Sequence, residues 1–392
     1  MSRSQQTRSR APAPATQRTA PAGESLVVAP SVLTPMVSVI VPTYQEEPYL
    51  RRCVDSLLTT AYPRDRFELL IVDGGSSDRT VDIAKALALE RGNIRVLHNP
   101  KRRQAAALNL GFSRSSPDSA IIIRADAHAS YSPDFIGRCV AALERSGADM
   151  VVFAALAAAD ARCFQVAVAA AQNTPLGVGD SWYRVGRRSR FVDHGFHGCF
   201  RRNILEESGA YDETFSHNED AELSFRIAKA GGRIYLERSL EVAYYPRPTL
   251  RALALQYYRY GRGRAQNILK HRTRPVLRQA LPMLLILGEA AIVAALATGV
   301  DRRLVAALVA LLGAYVVTML AAGCWFAVRR GSACLLFLPA VLATMHHAWG
   351  AGALGHFIAA GWRGLSSARR WRDGTVTGVQ SKVPSDPSVA PK

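Results

Sequence analysis

Cysteines are few in this sequence, and no two of them stand in the spacing that binds zinc. The six are scattered over 392 residues without a CxxC pair, and two of them (Cys324 and Cys334) lie in apolar C-terminal segments. This pattern argues against a zinc site and against a disulfide framework. We therefore expect reduced, isolated thiols.

Two glycine motifs that bind phosphates are also missing. No GxGxxG follows the first predicted strand, 37–41, which argues against a dinucleotide enzyme. Gly74 and Gly75 lack the Gly-Lys-Ser/Thr ending of a P-loop. Residues 1–35 contain no apolar run long enough for a signal peptide, and their composition predicts a disordered basic tail.

Acidic residues are scarce relative to basic ones. The chain has 31 Asp and Glu against 49 Lys and Arg, a net charge of +18. Such a balance suits nucleic acid, an anionic membrane surface or phosphorylated ligands. Because the charge lies in the tail and beside apolar segments, we expect no nucleic acid partner.

Long apolar segments are abundant in the C-terminal third. Segment 304–328 has no charged residue, and segment 280–300 has one, Glu289. Segment 333–360 is also apolar but is interrupted by Pro339, several glycines and three histidines. Roughly 20 apolar residues span a bilayer as a helix. We predict two to three transmembrane helices within 279–361 and a basic, disordered tail over 362–392. A buried helix bundle fits less well, because soluble helices have a polar face.

The basic residues around these segments give conflicting orientations. Segment 251–278 has eight Lys and Arg and no acid, which predicts a basic interfacial helix region on the cytoplasmic side. A second cluster, Arg363, Arg369, Arg370 and Arg372, follows the third apolar segment. Three full crossings would place this cluster outside. Either the third segment is re-entrant or interfacial, or the positive-inside rule is violated here.

Residues 36–250 alternate between strand and helix patterns. We predict strands at 37–41, 67–72, 94–97 and 120–123, and helices at 50–58, 78–89 and 104–112. Continuous apolar strands alternating with amphipathic helices predict an α/β domain with a mostly parallel, Rossmann-like sheet covered on both faces. Ligands bind such sheets at the carboxyl ends of the strands.

Polar side chains follow three of these strands. Thr43 and Glu46 follow the first, Asp73 the second, and Asp126 and His128 the fourth. Each is also compatible with a turn; Asp73 before two glycines fits an Asx turn, which does not exclude a binding role. Their convergence on one edge indicates a ligand site.

The motifs together resemble a known family. The runs VSVIVPTYQEEPYLRRCVDSLL and ELLIVDGGSSDRT, the Asp-Ala-His after a strand, and the later GAYDE, NEDAE and QYYRY are similar to the nucleotide-sugar domain of family 2 glycosyltransferases. That family has the GT-A fold. The nearest subtype is the succinoglycan-type bacterial exopolysaccharide glucosyltransferases, which also carry Asp-Ala-His and trailing membrane segments.

The resemblance implies a nucleotide-sugar donor, with a UDP-sugar expected, and Mg²⁺ or Mn²⁺ at its diphosphate. It implies that Asp126 contacts the nucleotide and metal region. His128 stands where the family usually has a second Asp, either as a metal ligand or hydrogen-bonded to a phosphate; imidazole suits Mn²⁺ better than Mg²⁺. The remaining candidates for the donor pocket are Thr43, Glu46, Asp73 and Arg124.

The same resemblance implies the catalytic and acceptor residues. Asp220 would be the general base and Glu219 would position the acceptor or the base, although acids here also suit a helix start. Gln256 and Arg259 share a helix face, and Arg259 would bind the departing diphosphate. Tyr260, in place of the family's Trp, would stack on a sugar. The alternative for this stretch is a membrane-surface helix with snorkelling arginines.

These inferences predict an inverting glycosyltransferase anchored in the inner cell membrane by several helices, with a cytoplasmic catalytic domain. Its acceptor would be a lipid-linked or growing glycan of the cell surface, and other glycan-assembly enzymes are candidate partners. A processive polysaccharide synthase and a polyprenyl-phosphate glycosyl synthase are alternatives within the same class. A non-catalytic membrane subunit that keeps the fold is the alternative outside it.

Overall fold

The computed structural model of the chain describes residues 34–158, 162–179, 181–186, 188–195, 197–299 and 301–372. The strands are Met36–Thr43 (β1), Phe67–Asp73 (β2), Ile94–His98 (β3), Ser119–Arg124 (β4), Ala129–Tyr131 (β5), Met150–Ala157 (β6), Arg190–Val192 (β7), Cys199–Arg201 (β8) and Ile234–Tyr244 (β9). The helices of the same region are Leu50–Leu58 (α1), Thr80–Arg91 (α2), Gln104–Arg114 (α3), Phe135–Ser146 (α4), Cys163–Gln172 (α5), Pro175–Val178 (α6), Trp182–Val185 (α7), Arg202–Glu207 (α8) and Glu219–Lys229 (α9).

Four further helices follow within the described residues: Leu250–His271 (α10), Leu277–Thr298 (α11), Arg302–Arg330 (α12) and Leu338–Arg372 (α13). Short 3₁₀ turns occupy Arg64–Arg66 and Ala333–Phe337. The predicted N-terminal tail lies outside the described residues except for its last two. The backbone of α13 continues past the predicted boundary at residue 361, and the rest of the predicted C-terminal tail is outside the described residues.

The first half of the sheet matches the predicted parallel arrangement. β1 pairs in parallel with both β2 and β4, and β2 pairs in parallel with β3. Alternate residues of β1 enter two different cores: Val39 packs in the core that contains Leu50 and Leu57 of α1, while Ile40 packs with Leu108 of α3. The strands are apolar on both faces because helices cover both faces.

The second half of the sheet is mixed, which the sequence did not indicate. β8 lies antiparallel between β4 and β6, β6 runs parallel to β9, and β9 also pairs antiparallel with β5 and β7. The described strands form one sheet in the order β3-β2-β1-β4-β8-β6-β9-β5, with β7 on β9. Three of these strands have only three residues, too few to show a hydrophobic period.

The three predicted apolar segments are helices that expose apolar side chains. Leu277–Thr298, Arg302–Arg330 and Ala333–Gly361 are each long and apolar enough to cross a membrane. Leu287 and Leu296 of α11, and Leu311 and Val317 of α12, are all at least half exposed. A soluble bundle would bury such residues, so the helices support membrane association.

The third apolar helix, α13, packs along α10 rather than standing apart from it. A side chain at Gly261 of α10 would meet the backbone of Trp349, and one at Gly352 of α13 would meet the backbone of Tyr258. On its other side, α10 touches the catalytic domain at Gly263, whose added Cβ would lie 2.4 Å from the His217 carbonyl oxygen. Thus α10 is held between the domain and α13.

Helix α13 also packs against the hairpin made by α11 and α12. An added Cβ at Gly350 would lie 2.3 Å from the Pro282 carbonyl oxygen of α11. His346 Nδ1 lies 3.0 Å from the Tyr315 hydroxyl of α12. Helix α13 therefore contacts both helices of the hairpin within a few turns.

One cysteine expectation is wrong. Cys163, at the start of α5, forms a disulfide with Cys334, in the turn between α12 and α13. The two positions are 171 residues apart, and they meet because α5 packs against this turn, with Ala167 and Leu335 in one core. Such a long-range pairing leaves no spacing signal in the sequence. The other four cysteines are free.

Candidate active site

The first two strands bring Thr43 and Asp73 side by side. The two residues are partners in the β1–β2 register, and the Thr43 hydroxyl donates to Asp73 Oδ1 at 3.3 Å. Asp73 Oδ2 accepts hydrogen bonds from the backbone N–H groups of Gly75 and Ser76 at 2.8 and 2.9 Å. Asp73 therefore makes the Asx-type turn that the two glycines indicated, and it holds the loop after β2 in place.

Asp126 lies in the loop between β4 and β5 and is almost fully buried. Its Oδ1 accepts from Gln104 Nε2 at 3.3 Å and lies 3.5 Å from Arg124 Nε, while its Oδ2 lies 2.5 Å from His197 Nε2. Burial opposes ionisation, but His197 and Arg124 outweigh it and hold the pKa of Asp126 well below its usual range. Asp126 is thus a fixed carboxylate.

His128 pairs with Glu46 from the loop after β1. His128 Nδ1 lies 3.0 Å from Glu46 Oε1, and its ring meets the edge of Tyr244 at 5.0 Å. Burial lowers the pKa of His128, but the bond to Glu46 more than offsets this and raises the pKa overall. A carboxylate on one ring nitrogen is the usual way to orient a histidine whose other nitrogen binds a metal.

These residues fit only part of a metal ligand set. Among the described residues, no three His, Cys, Asp or Glu side chains lie close enough to hold a metal ion by themselves. His128 has the oriented imidazole that Mn²⁺ accepts, whereas both oxygens of Asp126 already contact Gln104, Arg124 and His197. A cation here would need oxygens from a bound ligand such as a diphosphate.

The two acids that begin α9 have different environments. Glu219 is buried, and its Oε1 accepts from an Arg124 guanidinium nitrogen at 3.0 Å. Burial raises the pKa of Glu219 and Asp220 adds to the rise, while Arg124 opposes it. Asp220 is only half-buried, and its Oδ1 accepts a hydrogen bond from the N–H of the next residue, Ala221, at 2.7 Å. Asp220 is therefore the acid with access to a ligand.

The predicted Gln-x-x-Arg-Tyr stretch lies in α10. Gln256 Nε2 donates to the hydroxyls of Tyr244 and Tyr260 at 2.8 and 3.1 Å, which fixes both rings. The Tyr260 carbonyl accepts from Asn218 Nδ2 at 2.9 Å, so α10 is tied to the residue that precedes the two acids. Gln256 is buried, whereas Arg259 is exposed.

One cavity of about 1010 Å³ joins most of these side chains. The predicted residues that line it are Arg124, Asp126, His128, Glu219, Asp220, Gln256, Arg259 and Tyr260. Thr43, Glu46 and Asp73 are not in its lining; Glu46 is connected to it through His128. The lining continues onto α11, α12 and α13 with Leu285, Leu311 and Met345 among others.

Several residues of the site were not predicted from the sequence. Five of them line the cavity, and His197 contacts Asp126 behind it: Gln104, Arg184, His217, Arg264, Arg278 and His197. His197 belongs to the run HGFHG, whose two histidines flanked by glycines are the one local signal available. His217 precedes the acids of α9, and burial lowers its pKa to about 4, so its ring is neutral near pH 7.

Comparison with known proteins identifies the family. The profile described as Glycosyl transferase family 2 matches residues 38–207. The succinoglycan biosynthesis protein ExoA of Rhizobium meliloti (strain 1021) is 37% identical over 333 residues, which cover 85% of this chain and 96% of that protein. The chain belongs to glycosyltransferase family 2. The predicted resemblance to succinoglycan-type members of the family is confirmed.

Two further known proteins are similar to this family 2 glycosyltransferase. The dolichyl N-acetyl-alpha-D-glucosaminyl phosphate 3-beta-D-2,3-diacetamido-2,3-dideoxy-beta-D-glucuronosyltransferase of Methanococcus voltae is 28% identical over 60% of this chain and 74% of its own length. The solved mannosyltransferase PcManGT from Pyrobaculum calidifontis, in complex with GDP-Man and Mn²⁺, superposes with a TM-score of 0.55. It covers 82% of this chain and 87% of its own at 21% identity, and confirms the GT-A fold.

Proposed function

We propose that this family 2 glycosyltransferase transfers a hexose from a nucleotide sugar, most simply a UDP-sugar, to a lipid-linked acceptor glycan. The observation that carries the proposal is a single cavity that presents Asp126, His128 and Asp220 together and extends onto helices long and apolar enough to cross a membrane. The Methanococcus voltae relative is named for a dolichyl phosphate-linked acceptor. The Rhizobium relative is named for succinoglycan biosynthesis.

The donor would bind at the edge formed by β1, β2 and β4. The loop fixed by Thr43 and Asp73 faces the nucleoside, and Glu46 acts through His128. Mg²⁺ or Mn²⁺ bound with the diphosphate would neutralise its charge, with His128 as the protein nitrogen ligand and Asp126 beside it. Arg259 adds a further cation for the departing diphosphate.

Asp220 would act as the general base. Its carboxylate lines the cavity and accepts the proton from the acceptor hydroxyl as that oxygen attacks the anomeric carbon. Attack on the face opposite the diphosphate inverts the anomeric configuration. The Glu219 carboxylate is bound to Arg124 and is therefore a poorer proton acceptor for this step. We assign Glu219 the role of positioning Arg124 and the start of α9.

The packing of α13 favours two membrane crossings rather than three. Because α10 lies along the catalytic domain and α13 lies along α10, a crossing by α13 would draw the domain into the membrane. We propose that α11 and α12 form the crossing hairpin, that α13 lies at the surface, and that both basic segments, 251–278 and 362–392, are cytoplasmic. This arrangement obeys the positive-inside rule.

Transfer of label tests the proposal. Membranes that contain the full chain, supplemented with a lipid extract of the organism that encodes it, are incubated with a panel of radiolabelled UDP- and GDP-sugars. We expect one donor to give a product that partitions into organic solvent. Label found only in a water-soluble polymer would favour a processive synthase instead, and no transfer from any donor would favour a non-catalytic subunit.

A further inference from the structure

The active-site cavity carries more positive than negative side chains. Among the described lining residues, the cations are Arg124, Arg184, Arg247, Arg259, Arg264 and Arg278, and the acids are Asp126, Glu219 and Asp220. Arg124 is already bound by Asp126 and Glu219. The remaining arginines exceed the one remaining acid, so the cavity is built to hold anionic ligands.

Arg264 of α10 is partly withdrawn from solvent, whereas Arg247 and Arg259 are exposed. It is half-buried, and it makes no hydrogen bond or ion pair with any residue that the structure describes. Burial lowers the pKa of Arg264, and nearby Arg278 adds to this effect, while Tyr183 and Asp220 oppose it. A partly desolvated cation that makes no direct ion pair is unfavourable, so an anion bound to Arg264 would stabilise its charge.

Arg278, in the first turn of α11, lines the same cavity as Arg264. Its guanidinium contacts the Ser181 hydroxyl at 3.4 Å and His194 Nε2 at 3.3 Å. The close approach depends on Gly179, which has φ +62° and where an added Cβ would lie 3.0 Å from Arg278 Cβ. The chain thus brings α11 against the catalytic domain and directs a cation into the cavity.

The apolar part of the lining comes from the membrane-associated helices. Leu281 and Leu285 of α11, Leu311 and Met319 of α12, and Met345 of α13 line the same cavity as Arg264 and Arg278. A cavity of about 1010 Å³ is at the upper end of the range for single small-molecule sites, about 300–1,000 Å³. It has room for a second ligand beside a nucleotide sugar.

We infer that Arg264 and Arg278 bind the phosphate of the acceptor's lipid carrier, whose hydrocarbon chain lies against Leu285 and Leu311 between α11 and α12. This inference rests on the proposed transfer to a lipid-linked acceptor and assigns the carrier's site within it. Two guanidinium groups match a phosphate by bidentate hydrogen bonds. Arg264 and Asp220 line the same cavity, so a carrier phosphate bound to Arg264 would share that cavity with the base.

Binding without donor tests this assignment. The purified full chain in detergent is titrated with farnesyl monophosphate, farnesol and inorganic phosphate, with no nucleotide sugar present. Arg264→Gln should weaken farnesyl monophosphate binding by about 10- to 100-fold, as expected for loss of a charged hydrogen bond. Its matched control is Arg262→Gln, the same charge change two residues away at an exposed position outside the cavity lining, which should bind as the parent does.

A second pair of variants tests the hydrocarbon path. Leu285→Trp fills the apolar part of the cavity and should weaken the binding of farnesyl monophosphate about 10-fold. The binding of inorganic phosphate should not change. Leu287→Trp is the control, because Leu287 is half exposed on the same helix and does not line the cavity. A melting curve of each variant excludes unfolding.

Four outcomes would overturn the inference. The first is equal affinity of the Arg264 and Arg262 variants for farnesyl monophosphate, and the second is equal affinity of the Leu285 and Leu287 variants for it. The third is displacement of farnesyl monophosphate by UDP with Mn²⁺. The fourth is binding of dioleoylphosphatidate as tightly as farnesyl monophosphate. The third would assign the arginines to the donor, and the fourth to ordinary membrane phospholipid. Because no sugar is transferred in this assay, its failure is distinct from failure of the proposed reaction.

Discussion

Removal of Arg124 should destabilise the fold much more than removal of its partner Glu219. Arg124 is 4% exposed and lies 3.0 Å from Glu219 and 3.5 Å from Asp126, which are themselves 4% and 7% exposed. Arg124→Gln leaves the Glu219 carboxylate buried without its cation and leaves Asp126 paired with His197 alone, and breaking a buried pair in this way costs about 3–5 kcal/mol. Glu219→Gln leaves one carboxylate with one cation, so its cost should be smaller.

The expected loss converts to a measurable melting shift. For a domain of this size, about 2–4 °C per kcal/mol gives a fall of about 6–20 °C for Arg124→Gln. Thermal unfolding of the full chain in detergent measures it, with Arg124→Lys as the control that keeps the charge. The reasoning is refuted if Arg124→Gln melts with the parent, or if Glu219→Gln melts as low as Arg124→Gln.

The same variant should show a defined pH dependence. Arg124 lowers the pKa values of both Asp126 and Glu219, so its loss raises both. An acid whose pKa is raised in the folded state stabilises that state most at low pH and loses this contribution as pH rises through the folded value. The melting deficit of Arg124→Gln should therefore be larger at pH 8 than at pH 5. A constant deficit would contradict the charge argument.

Three further outcomes are expected. Asp126→Ala should abolish sugar transfer and weaken donor binding. EDTA should abolish activity, and Mn²⁺ should restore it at least as well as Mg²⁺. Full activity in EDTA would contradict the proposed metal dependence. Truncation after Arg274 should give a chain that leaves the membrane pellet or binds it only in a salt-sensitive way. A truncated chain that stays in the pellet in high salt and alkali would show that the apolar helices are not the anchor. A protease site fused after Lys392 should be protected in intact cells, whereas cleavage from outside would indicate that α13 crosses the membrane.

The parallel half of the sheet was predictable because its signals are local. The strands 37–41, 67–72, 94–97 and 120–123 all appear, each within a few residues of the predicted ends. Each is a continuous apolar run followed by a turn signal, and neighbouring helices have the period that covers such strands. The same rule placed Thr43 and Asp73 at adjacent strand ends, where they are register partners.

The rest of the site depends on contacts that no local pattern encodes. His197 reaches Asp126 from 71 positions later in the chain, in a segment before a strand of only three residues. Arg264 and Arg278 lie in a run that reads as a basic membrane-surface helix, and only the packing of α10 and α11 turns them toward the cavity. The Cys163–Cys334 disulfide and the path of α13 along α10 are likewise tertiary facts.

Substitution of Asp220 by Asn tests the central claim most directly. The variant keeps the size of the side chain and can still begin a helix, since Asn caps about as well as Asp. Sugar transfer and nucleotide binding are measured on one preparation of the full chain, with a melting curve beside them. We predict that transfer falls by roughly 10² to 10⁴ while nucleotide binding and melting stay unchanged. Near-normal transfer by Asp220→Asn would contradict the assignment of Asp220 as the base of this glycosyltransferase.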